Sequence, residues 1–202
     1  MKRLFIIFVS ALSLLISNEA NAQAFGGKGS NHLLLGLGLN HHFTFFGSPI
    51  NNNSYSSYGS LSVQYEAGIH DYVGIGIASG LEFARDLGYG YYTYPGYYYS
   101  SGFTGLAVPV VFFGNFHFLQ LINDKTGKNF AEKLDVYAGL SLGTGFSFAI
   151  PKRNNPADGA FGMMLIYGAN VGVRYYFTPN IGVYTELGYG KTIAQAGVAF
   201  KL

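Results

Sequence analysis

The residues in this chain best suited to chemistry are histidines and carboxylates, and their spacing limits what they can do. "NHHF" sets His41 beside His42. Neighbours on an extended strand point to opposite sides, so the two cannot ligate one ion together without a bulge. Either could act as a general base, but no Ser, His and acid spacing elsewhere strengthens that reading. "GYGKT" (Gly188 to Thr192) ends like a phosphate-binding loop. The first glycine of that motif would fall at position 185, which is threonine, and the segment sits in a hairpin and not before a helix. No cofactor or metal motif is left. The other ionic residues of interest are Glu66, Glu82, Asp135, Arg174, Glu186 and Lys201, and each lies in a stretch of alternating polarity.

Such stretches read as strands with one apolar and one polar face. In "SLSVQYEAGI", Leu61, Val63, Tyr65, Ala67 and Ile69 form one row, and Ser60, Ser62, Gln64, Glu66 and Gly68 the other. An earlier strand, Leu33 to Phe46, sets Leu33, Leu35, Leu37, Leu39, Phe43 and Phe45 against Gly36, Gly38, Asn40, His42 and Thr44. After a tight turn at His70 to Tyr72 the third strand begins at Val73. A fourth covers about Phe103 to Phe118, where Pro109 cannot donate to a ladder and predicts a bulge. Residues 119–133 read as a polar connection. Four more strands follow, starting near Leu134, Gly162, Ile181 and Ile193. Eight strands in residues 23–202 leave about 22 residues for each with its connection, which suits tilted strands of roughly ten residues.

The charges decide which face is the inside. With each strand's phase set by its apolar residues, all six charged side chains fall in the opposite row, an outcome chance gives about once in 64. That polar row is mostly Gly, Ala and Ser, too small and too uncharged for a solvated surface. Small residues are what a narrow eight-stranded lumen needs. The expectation is therefore an all-β, eight-stranded, antiparallel up-and-down transmembrane barrel, with lipid against its apolar rows. Inside, Glu66, Glu82, Asp135 and Glu186 would face Arg174 and Lys201, with His42 and His117 nearby. Arg174 and Glu186 are equidistant from Asn180 and so are expected to pair. Four acids against two bases leave a formal −2, to be met by a proton on one carboxylate or by a bound cation. Isolated charges there would be costly, so a paired structural network is expected.

The start of the chain agrees with export. Lys2 and Arg3 precede the apolar run Leu4 to Ile16, and Ala20-Asn21-Ala22 offers a small-x-small cleavage site. Residues 1–22 are read as a signal peptide and 23–202 as the barrel. Cysteine is absent, so disulfides do not stabilise the fold. Charged residues make up 11% of the chain, against about 25% in ordinary soluble domains. A net charge of +2 argues against a nucleic-acid partner. Between Leu87 and Ser100 lie Tyr89, Tyr91, Tyr92, Tyr94, Tyr97, Tyr98 and Tyr99. They suit an aromatic girdle at the membrane interface, or a loop offering rigid contact area to an extracellular protein or glycan.

The chain resembles the small outer-membrane β-barrels of Gram-negative bacteria, in particular the porin- and opacity-like group common in Bacteroidetes. The residues that carry this are the signal peptide, "VPVVFFGNFHF" leading into "KLDVYAGLSLGTG", "GVRYYFTPNIGVYTELGYG" and the terminal "AGVAFKL". Leu202 stands where many such barrels end in Phe, and Phe200 takes that role. The resemblance implies a monomer in the cell outer membrane, with outer-membrane lipid and, during biogenesis, the barrel-assembly machinery as partners. It implies periplasmic termini and loops near 47–59, 85–101 and 150–160 outside. A non-enzymatic, structural or partner-binding role is expected. The alternatives are a narrow channel for ions or small solutes, and a lipid-modifying enzyme using His41 or His42.

Overall fold

Leucine, β-branched and aromatic residues at every second position put eight segments into strands, and period two gives each strand one apolar face. In a computed structural model, which describes residues 23–40, 42–44, 55–86, 103–127, 131–151 and 160–202, these are β1 (Asn31–Leu39), β2 (Tyr55–His70), β3 (Val73–Asp86), β4 (Phe103–His117), β5 (Leu134–Pro151), β6 (Ala160–Tyr176), β7 (Ile181–Tyr189) and β8 (Ala194–Lys201). Each pairs antiparallel with its sequence neighbours, and β1 closes the ring on β8, with Leu35 opposite Val198. The result is a closed, all-antiparallel, eight-stranded barrel.

The phases agree with the alternation. Leu37 (65% exposed) and Leu140 (72%) lie on the outer surface with Phe112, Leu142, Met163 and Val171. Glu66, Glu82, Asp135, Arg174 and Glu186 are all buried inside. At the near mouth, where β1 begins and β8 ends, lie the tight Asp71-Tyr72 turn and the turn after Tyr176, where the Ile181 N–H donates to Thr178 Oγ1 at 2.9 Å. Strands β2 to β6 run 14 to 18 residues, well past the ten expected, so that wall extends beyond the far rim.

Four local expectations are corrected. β1 ends at Leu39, and a 3-10 turn at His42–Thr44 replaces its continuation. That turn breaks period two, so adjacent His42 and Phe43 both point inward, where Phe43 was expected on the lipid side. Pro109 makes no bulge. The β3–β4 ladder lapses between Ser79–Val110 and Glu82–Ala107 and resumes in the same register, and the Ser79 hydroxyl donates to the Pro109 carbonyl at 2.8 Å. The bulges lie in β2 instead, at Ser57/Gly59 and Gly68/His70. Finally, the connection after β4 opens with a helix, α1 (Phe118–Thr126). It covers part of the near mouth.

Candidate functional site

The interior is where this sequence spends its polar side chains, and it is layered along the axis. At the near mouth the segment before β1 folds back into the barrel. Phe25 is buried and stacks on His117, with centroids 3.4 Å apart and planes within 8°, and lies 5.8 Å from the His32 ring. His32 Nδ1 meets the Tyr176 hydroxyl at 2.8 Å. Lys201 reaches the same segment and donates to the Gln23 carbonyl at 2.8 Å, so it caps the mouth and pairs with no carboxylate among the described residues.

The first ionic layer holds Glu66, His117, Asp135 and Arg174. His117 places Nδ1 2.9 Å from Asp135 and Nε2 3.0 Å from Glu66. Arg174 donates across the lumen to Glu66 and lies 3.6 Å from Asp135, its partner in the β5–β6 register. With the imidazole donating from both nitrogens, two carboxylates meet two cations and the layer is neutral. Buried charges persist only when matched in this way.

Tyr137 forms the next layer. Its hydroxyl donates to Glu186 at 2.8 Å, and Arg174 covers its ring. Across the β5–β6 ladder it faces Gly172, where a Cβ would collide with the phenol ring, so only glycine leaves it room. Above it, Glu186 accepts from Lys191 at 2.8 Å, from Gln64 at 2.9 Å and from Gln195. Lys191 also donates to Gln64 and places its ammonium 4.2 Å from the centre of the Phe113 ring. Phe113 opens an apolar layer with Phe43, Ala78, Val111, Met164 and Ile166. Beside that layer Glu82 accepts from the His42 backbone N–H at 3.1 Å and meets its Nδ1 at 2.8 Å. The void bounded by Asn40, Ser62, Gln64, Lys191 and Gln195 holds about 10 Å³, room for one water at most.

The structure thus brings Glu66, Asp135 and Arg174 together, places Glu186 and Glu82 in separate sites, and sends Lys201 to the mouth. The expected Arg174–Glu186 pair does not form. The β6–β7 hairpin centres one residue earlier than Asn180, so Arg174 faces Tyr184 and Glu186 faces Gly172. The formal excess of two negative charges stays as expected, because one lysine replaces another: Lys201 leaves for the mouth and Lys191 takes its place among the carboxylates. Lys191, which the turn reading left outside, is buried, and each interior carboxylate has a basic partner. Gly190, at φ +92°, turns the chain over the rim and lets Lys191 and Thr192 both face inward, which strand parity could not predict. The glycine before the lysine was the one available signal. Phe25 had none, since it precedes the first strand. The tyrosine block (Tyr89 to Tyr99), His41 and residues 1–22 lie outside the described residues.

Fold and interior together define a closed eight-stranded barrel, apolar outside and ionic within. No family model and no curated protein matches the chain. Among solved structures it is similar to the N-terminal β-barrel domain of Pseudomonas aeruginosa OprF (13% identity, TM-score 0.43, covering 87% of this chain and 99% of that one). It is also similar to Ail, the attachment invasion locus protein of Yersinia pestis (11%, 0.44, 86% and 95%), and to Neisserial surface protein A (12%, 0.42, 86% and 95%).

Proposed function

We propose that this chain is an integral outer-membrane β-barrel whose lumen is filled by side chains, and whose role is structural or partner-binding through its far-side loops, the tyrosine-rich stretch above all. One observation carries the reading. The strands turn large apolar side chains outward and their charges inward, the reverse of what water would solvate. Export by residues 1–22 and the resemblance to Bacteroidetes-type outer-membrane barrels fit the same reading. The interior also speaks for a non-conducting, non-enzymatic barrel: ionic layers and the Phe113 layer fill the axis, and His42 is buried against Glu82. Expression of the full chain in a Gram-negative host tests the membrane claim. It should fractionate with the outer membrane, resist urea extraction, and run as a compact band on gels unless boiled. A chain that stays monodisperse in buffer without detergent would overturn it. Planar bilayers should stay electrically silent. Deletion of residues 87–100 should leave the barrel folded and abolish surface binding to extracellular proteins or glycans.

A further inference from the structure

We propose that α1 is a membrane-surface anchor, seating Phe118 and Ile122 among the acyl chains of the phospholipid leaflet on the near side of the barrel. This rests on the membrane reading above. The helix is packed inside out for a soluble protein. Its polar residues Gln120 and Asn123 are 5% and 8% exposed, while Phe118 and Ile122 are 43% and 46% exposed. Residues four apart share one helix face, so the two apolar side chains form a single stripe. A surface helix ordinarily turns such a stripe to the core.

Two sets of contacts hold the helix in this orientation. Gln120 Nε2 donates to Gln23 Oε1 at 3.0 Å, tying the polar face to the segment that fills the mouth. The Asp124 carboxylate beside Tyr72 pushes that phenol above its ordinary range, and the His117 N–H donates to the Tyr72 carbonyl at 2.9 Å. Rolling the stripe inward would break these contacts.

The outward stripe continues the barrel's own apolar belt. The Phe118 ring meets Phe116 edge-on at 5.0 Å, Phe116 belongs to the outward row of β4, and Tyr72 follows at 6.4 Å. Aromatic residues gathered at one rim are what a membrane interface selects. Lys125, exposed in the last turn, is placed to reach lipid phosphates. Lipid is the occupant this continuity favours over a water-borne protein partner.

The chain has no tryptophan and no cysteine, so single replacements report without background. The whole barrel, with F118W, I122W, L140W or K28W, is refolded into phosphatidylcholine vesicles whose chains carry bromine close to the headgroup or near their ends. F118W and I122W should lose fluorescence to the shallow bromines, L140W to the deep ones, and K28W to neither. Because tryptophan itself favours the interface, I122C, L140C and K28C are read in parallel. The I122C thiol should resist a water-borne maleimide as L140C does, while K28C reacts. If F118W and I122W escape quenching and I122C reacts like K28C, while L140W is still quenched, the anchor is refuted and the membrane barrel stands. If L140W also escapes, both readings fall.

Discussion

The Arg174 guanidinium sits 4.3 Å from the centre of the Tyr137 ring, and the hydroxyl at the other end of that ring donates to Glu186. One side chain thereby joins two ionic layers that never touch. Tyr137→Phe keeps the cation–π contact and removes one of the donors to a buried carboxylate oxygen. It should cost about 1–3 kcal/mol in urea unfolding of the detergent-folded barrel. Tyr137→Leu should cost more, since the ring face is lost as well. Equal stability of Tyr137→Phe and the parent would remove Tyr137 from this role.

Glu66 and Arg174 are both buried and bond directly. Removing either charge alone leaves the four-group layer with one charge unmatched, so Glu66→Gln and Arg174→Met should each cost about 3–5 kcal/mol. The double variant should cost clearly less than their sum, because neither orphan remains. Strict additivity in the same unfolding series would mean that the two do not act as a pair.

Gly172→Val tests how tightly the lumen is filled. The added methyls enter the space of the Tyr137 ring, and overpacking of this kind costs about 1–3 kcal/mol. The double variant Gly172→Val/Tyr137→Ala should cost less than the sum of its two single changes. A fully tolerated valine would point to a lumen with room to spare.

The belt is tested from outside. Leu140→Arg should cost about 2–4 kcal/mol if position 140 lies near the bilayer midplane, and Leu37→Arg somewhat less if it lies nearer the rim. Ser141→Ala, one residue along and facing inward with a buried hydroxyl that has no hydrogen-bond partner among the described residues, should change stability little. Unfolding from lipid vesicles should show this contrast between adjacent positions. Similar costs at 140 and 141 would count against an apolar exterior in lipid.

Strand number, the antiparallel closed barrel and the inward phase of Glu66, Glu82, Asp135, Arg174, Glu186 and Lys201 are legible in the chain itself. Two-residue periodicity is a local property, and every strand carries its own copy of it. The depth at which each charge sits is not local. It depends on register, and a hairpin centred one residue from Asn180 is enough to move Glu186 from Arg174 to Lys191. Period two also falls silent wherever the chain turns. His42 with Phe43, Lys191 with Thr192, and Phe25 are inward residues set by a 3-10 turn, by a left-handed glycine and by a segment folded into the mouth. The helix after β4 belongs to the same class: its residues can be read from the chain, but which of its faces meets the barrel is decided by partners far away in sequence, Gln23 and Tyr72.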